Sequence, residues 1–433
     1  MALSAACAWT ALAGVAAAQS RPPETDQVDD VVVTGTPYGV SQRASVIATD
    51  VVDEQALAVA PAQSLGDLLS GQPGLRSTSF APGASRPVIR GLSGPRVQVL
   101  TNGIGLIDAS SVSPDHAVAT DPAEASRIEV VRGPSTLIYG GSAIGGVVNI
   151  IDGRVPTERP EGGIDGVIST QVSSVDDGRS IFGRLTVGAG PFVFNVDGVG
   201  RRTDDYAVPS PSLSARKAAE DGQTRDGNGT QPNSATELQA WGAGGSYVGD
   251  RGFIGASYKK TDSQYGTVAE PDVYIQLNQT REDLRGEYRF DTGPFSALRG
   301  SYGHAEYAHT EFSGPGRPGT IFNSHGQEGR IDLVQREWNG WNGGVGVQAL
   351  SRDFSAIGDE AYVPSTHIEE QGIYAIQRYD RGATGFEGGL RFDRRTLTAT
   401  PLGTAIRVGR EFDNVSASLA VFARPTPGLS VGL

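Results

Sequence analysis

The stretch RIEVVRGPSTLIYGGSAIGGVVNIID, residues 127–152, decides how the rest of the chain is read. Ile128, Val130 and most of the run VVNII at 147–151 are β-branched, and such side chains favour strands because they pack well on a pleated surface. Between them, Gly133-Pro134, Gly140-Gly141 and Gly145-Gly146 permit tight turns and close backbone approach. The pattern is a compact strand–turn–strand. Directly after it the sequence changes character, and from about residue 162 short segments alternate polar and apolar residues. A small globular unit feeding a long β-meander is the expected arrangement.

Glycine-rich runs also build phosphate loops and nucleophile elbows. Here no Gly-Lys-Ser/Thr follows, and GGSAI at 140–144 lacks the second glycine of G-x-S-x-G. The chain therefore reads as a protein that is not an enzyme.

Two earlier stretches belong with the first: SLGDLLSGQPGL (64–75) and RPVIRGLSGPRVQVLTNGI (86–104). Ser64 is placed to cap a helix with Asp67 at its third position, Leu65, Leu68 and Leu69 on one face and Gly71 at its end. Val88, Ile89, Val97, Val99 and Leu100 read as strands paired around the turn at 91–95. In this order the three stretches resemble the plug domain of TonB-dependent outer-membrane receptors. The resemblance implies an all-β membrane protein with an α+β plug, seated inside an antiparallel transmembrane β-barrel of about 22 strands when complete. It implies a signal peptide over 1–18, a periplasmic leader over 19–45, the plug over 46–153 and the N-terminal part of the barrel over 162–433. Arg90 and Arg132, each before a glycine at a strand end, are then expected among the charged contacts that hold the plug to the barrel wall.

Residues 1–18 are small and apolar and end in an A-x-A-like site before Gln19. No Lys or Arg precedes the apolar run, so the true start is expected upstream. Cys7, the single cysteine, falls in this removable segment. After a polar, proline-containing leader comes DDVVVTG at 29–35, a short strand with no expected local partner. By resemblance Asp30, Val31, Val32, Val33 and Thr34 are the TonB box. TonB of the TonB–ExbB–ExbD inner-membrane complex captures such a box by strand addition, through main-chain hydrogen bonds.

Composition is consistent with this. A net charge of −13 over 433 residues argues against nucleic acid as a partner, because that interaction wants a basic patch. No run of 18 apolar residues follows the N-terminal segment, so no spanning helix is expected. A barrel disperses its membrane signal over alternating strands. Leu284, Gly286, Tyr288 and Phe290 alternate with Arg285, Glu287, Arg289 and Asp291; Val415, Ala417, Leu419 and Val421 alternate with Ser416 and Ser418. One face suits lipid and the other a wet lumen. Short turns fall near 189–191, 250–252, 291–294, 338–343, 380–382 and 424–428. Long polar segments fall at 203–235, 262–281, 309–327, 353–368 and 396–410, which predicts all of them on the outer face. About 12 strands fit before the chain stops inside the next, so a truncated fragment of a monomeric barrel in the Gram-negative outer membrane is expected.

Five histidines are present: His116, His304, His309, His325 and His367. Asp115-His116 lies in the irregular stretch SVSPDHAVATDP (111–122), and imidazole with carboxylate suits zinc. SPDHAVATDP (113–122), HTEFSGPGRPGT (309–320) and FSAIGDEAYVPST (354–366) are similar to the zinc-uptake branch of these receptors. That likeness makes Asp115 and His116 expected metal ligands, with Glu360 a candidate from the barrel and a further histidine expected beyond Leu433. The outer loops lack the histidine-rich runs common in that branch, which leaves copper, nickel or a chelate open. The expectation is energised uptake of a scarce metal ion, zinc first, with no bound cofactor. A siderophore or other metal-chelate receptor is the alternative. A passive porin would lack the features of 29–152, and a barrel-anchored adhesin would carry a passenger.

Overall fold

The computed structural model describes residues 32–33, 36–41, 49–60, 63–222, 229–270, 272–359, 361–426 and 429–432. The expected signal peptide lies outside them, as do Asp30, Val31, Thr34 and Glu360. Val32–Val33 (β1) pair antiparallel with Val40–Ser41 (β2). This corrects the expectation of a strand without a local partner. The chain reverses at 36–39, and backbone groups leaving solvent pair with the nearest available edge.

The first body is built on Thr49–Val52 (β3), Val97–Thr101 (β6), Ile104–Gly105 (β7), Arg127–Val131 (β8) and Gly146–Ile151 (β9). They form one sheet in the order β3-β8-β9-β6-β7, with β6 and β9 parallel. Helices Glu54–Val59 (α1) and Leu65–Ser70 (α2) flank it. Ser64 caps α2 as expected, accepting from the Asp67 amide at 3.4 Å, and Gly71 ends the helix. Leu65 and Leu69 pack with Ile89, Ile128, Val130, Val148 and Ile150 in the core beneath.

One pairing differs from the sequence expectation. Pro87–Ile89 (β5) pairs with Leu75–Ser77 (β4), not with β6. The Gly94–Arg96 3-10 turn redirects the chain, and Ile89 bonds back to Leu92 before β6 begins.

The second body is a single antiparallel sheet of 13 strands in sequence order. It begins with Ile164–Val172 (β10), Arg179–Ala189 (β11), Phe192–Thr203 (β12), Thr236–Gly249 (β13) and Gly252–Gly266 (β14). Tyr274–Arg289 (β15), Phe295–Phe312 (β16), Pro318–Gln335 (β17) and Trp341–Gly358 (β18) continue it. Thr366–Asp380 (β19), Thr384–Ala399 (β20), Val408–Thr426 (β21) and the short Leu429–Gly432 (β22) complete it. The sheet wraps the first body. Its inward side chains bury against the plug, and its outward ones form an apolar band.

Alternation sets the two faces. Val193 is 0% exposed while its neighbour Phe194 is 55% exposed. Outward Phe192 stacks edge-on with Tyr247 near the short turns, and Trp241 meets Tyr258 at the far edge of the band. An apolar band between aromatic girdles is how a barrel wall meets lipid.

The short turns near 189–191, 250–252, 291–294, 338–343 and 380–382 fall where the sequence places them, and the one at 424–428 lies partly outside the described residues. The long polar segments are mostly strand: the connections shrink to 267–273, 313–317, 359–365 and 400–407, and 204–235 alone stays long. Above the band the outward residues turn polar while Ile275, Leu277, Phe322 and Phe354 face inward, so the alternation inverts and the backbone ladder continues.

Candidate functional site

Among the contacts that tie the plug to the wall, two clusters differ in chemistry. The first is built on Arg154, just past β9. The sequence reading placed it in a polar linker, yet it is 2% exposed. Its guanidinium contacts Asp152 at 2.8 Å, Glu124 at 2.9 Å and Asp197 of β12 at 2.7 Å. Lys259 of β14 reaches the other oxygen of Glu124, and Arg201 of β12 pairs with Asp121 at 2.7 Å. Asp121 and Glu124 also close a capping box around the 3-10 turn Pro122–Glu124.

Gly242 and Gly244 of β13 make room for this arginine. A Cβ on either would collide with Arg154. Burial alone would raise the Glu124 carboxyl, but Lys259 and Arg154 hold it below its ordinary value. Asp152 is likewise held down, against burial, by Arg154 and the Asn102 amide.

Arg132 does not join the wall. It bonds Asp50 and the Pro73 carbonyl, both within the plug, and Arg90 is exposed. Among the described residues neither expected wall contact forms: Arg132 spends its hydrogen bonds inside the plug, and Arg90 follows strand β5 at an exposed turn.

The second cluster centres on His116, which is 0% exposed. The 113–117 segment is held by Tyr265 of β14, whose hydroxyl donates to the Asp115 carbonyl at 3.1 Å and accepts from the Ala117 amide at 2.8 Å. Gly83 lies against that ring, where a Cβ would meet the Tyr265 Cβ. His116 Nδ1 donates to the Ala109 carbonyl at 3.0 Å, which sets the ring orientation and aims Nε2 at the wall. Nε2 lies 3.0 Å from Glu311 Oε1, and His309 Nε2 lies 3.8 Å from the same oxygen.

The ligating atoms of His116, His309 and Glu311 all fall within 4.8 Å of one another. His309 Nδ1 pairs with the Tyr307 hydroxyl at 2.7 Å, while its buried Nε2 has no hydrogen-bond partner. Phe322 stacks on His309 at 4.6 Å, and Ala109, Ala117, Leu277 and Phe354 complete an apolar shell.

Atoms bound tetrahedrally at ~2.0–2.2 Å from one ion stand roughly 3.3–3.6 Å apart. The 3.0 and 3.8 Å separations bracket that spacing. A neutral imidazole anchored through its other nitrogen is the form that binds a metal. One plug residue and two wall residues thus converge as a candidate three-ligand set.

The structure brings His116 into this set but not Asp115, whose carboxylate accepts from the Ser113 hydroxyl. The carboxylate beside the imidazole is Glu311. Sequence reasoning missed His309 and Glu311 as ligands, although His-x-Glu on an alternating strand places both on one face. A cavity of about 1110 Å³ lies elsewhere, toward the short turns, and its lining includes Arg127, Arg285, Glu287 and Arg299. None of its lining residues belongs to the histidine cluster, and a wide charged space suits passage better than tight binding.

Residues 41–147 match the family model "TonB-dependent Receptor Plug Domain". A hemin receptor from Yersinia enterocolitica is 30% identical over 222 residues, covering 48% of this chain and 32% of that protein. The vitamin B12 transporter BtuB of Vibrio vulnificus (strain CMCP6) is 28% identical over 190 residues, 43% of this chain and 30% of its own length. The chain thus spans about a third of the curated relatives it matches. Among solved structures, the copper transporter OprC superposes with a TM-score of 0.72 at 17% identity, over 92% of this chain and 62% of that one. The ferric citrate transporter FecA, unliganded, gives 0.68 at 16% identity over 89% and 62%. These relatives are receptors and transporters, and the solved structures establish likeness of fold. Residues 41–147 are a TonB-dependent receptor plug domain, and with the sheet that wraps it the chain has the plug-and-barrel fold of the TonB-dependent receptors.

Proposed function

We propose that this chain carries the plug and part of the barrel of an outer-membrane receptor that imports a metal ion, with zinc the preferred cargo. The observation that carries this reading is the convergence of His116 from the plug with His309 and Glu311 from the wall. An ion held by both bodies couples occupancy to plug position. A ligand shifts such an element only through its different affinity for the two arrangements.

His116, His309 and Glu311 bind, with no covalent step. Tyr265 holds the 115–117 segment so that the imidazole points at Glu311. Residues 30–34 are the segment TonB would pull, which supplies the energy for release. A metal chelate is the second reading, favoured by the relative named as a hemin receptor.

The test is uptake of radioactive zinc by zinc-starved cells. His116→Ala should lower uptake well below wild type, and deletion of 30–34 should abolish uptake while surface binding persists. Unchanged uptake in His116→Ala would remove the metal site from the account.

A further inference from the structure

A second histidine cluster lies on the opposite face of the same wall. His304 and Glu306 of β16 point away from the lumen, because the intervening Ala305 and the next inward residue Tyr307 are buried against the plug. His325 of β17 is the register partner of Glu306, and Glu282 of β15 is the partner of His304.

The imidazole rings meet edge-on with centroids 5.0 Å apart. His325 Nδ1 is 3.6 Å from Glu306 Oε1, and His304 Nδ1 is 3.8 Å from Glu282 Oε2. The ligating atoms of His304, Glu306 and His325 lie within 4.8 Å of one another.

The position is specific. Tyr302, one outward residue below His304, donates to Gln327 at 2.8 Å and marks the upper edge of the apolar band. The cluster therefore stands above the lipid-facing surface and below the 313–317 connection. Hydrogen-bonded antiparallel strands fix all four Cβ positions, so the ligands need little ordering to converge.

Exposed ion pairs add little stability, so the two imidazole–carboxylate pairs do not account for their own convergence. Two imidazoles and a carboxylate from one rigid face match the nitrogen and oxygen set of a borderline divalent ion, with open positions for water or Glu282.

We infer that His304, His325 and Glu306 form an exterior binding site for a divalent transition-metal ion of the zinc class, separate from the interior cluster. The site is off the route through the lumen. An ion held there faces the medium at the rim of the membrane.

The test is zinc titration of the detergent-purified full-length receptor, followed calorimetrically with calcium as a competitor. His304→Gln with His325→Gln should weaken one class of zinc binding by at least about tenfold, since two of three ligands are lost. His116→Ala should leave that class intact, which separates this site from the interior one. His325→Gln alone should give an intermediate loss. Zinc binding unchanged in the double variant, or displaced by calcium as readily as by zinc, would overturn the assignment.

Discussion

Two of the seams between plug and wall join residues of both bodies for different ends. Around Arg154, the cation meets three carboxylates, and Glu124 gains Lys259 as a second cation. Around His116, an imidazole and a carboxylate meet inside an apolar shell, and His309 Nε2 is left without a hydrogen-bond partner. A saturated ionic cluster is costly to break, because each member removed strands the others in a dry interior. A cluster with an unpartnered buried ring nitrogen has capacity for a further ligand. The first seam holds through paired charge, and the second keeps an unpartnered ring nitrogen.

Breaking the lock should give the largest effect. Arg154→Ala leaves Asp152 and Asp197 buried beside Glu124 without their shared cation, and should cost about 3–5 kcal/mol. Denaturant unfolding, or protease release of the plug from the purified receptor, measures it. If the seams were equivalent, His116→Ala would release the plug equally.

Instead, His116→Ala should leave plug release nearly unchanged and lower zinc affinity by at least about tenfold, read by equilibrium dialysis. Glu311→Gln keeps the shape and removes the charge, so its loss should follow that of His116→Ala.

Tyr265→Phe sharpens the comparison further. It removes the hydroxyl that serves the Ala117 amide and the Asp115 carbonyl, and the stranded amide should cost about 1–3 kcal/mol. Zinc affinity should fall with it, because the 115–117 segment loses its anchor.

The smallest effect concerns acid. Glu124 and Asp152 have carboxyl groups held below their ordinary values in the folded protein. Their stabilisation is present above the unfolded carboxylate range and is lost as pH falls through the folded values. Asp121 runs the other way: burial raises it despite Arg201, so its ionised form opposes folding as pH rises. Plug release should therefore increase only in strong acid, and in Arg154→Ala the onset should move toward neutral pH.

What the sequence made legible was local. Alternation along Phe192–Thr203 or Val408–Thr426 is a property of neighbouring residues, and it announces both faces of a wall before any partner is known. The Ser64 cap and the glycine-rich turns are equally short-range. The register of β5 was misread because the turn at 91–96 decides it, and turn geometry is a weaker signal than strand composition.

The site was half legible. His116 stands out beside Asp115, but its partner Glu311 lies 195 residues away. The Arg154 lock was hidden for the same reason, since Glu124 and Asp197 are 30 and 43 residues away. Only the closing of the sheet around the plug brings such residues together. The outer ends of β14–β18 were hidden differently: with polar residues outward and Ile275, Leu277, Phe322 and Phe354 inward, they read as polar segments unless the plug inside is known.

The measurement closest to the central claim is an anomalous-scattering map at the zinc edge from crystals of the receptor grown with zinc. The account predicts a peak ~2.0–2.2 Å from His116 Nε2, His309 Nε2 and a Glu311 oxygen. A zinc-loaded crystal with no peak between plug and wall at that point would contradict it.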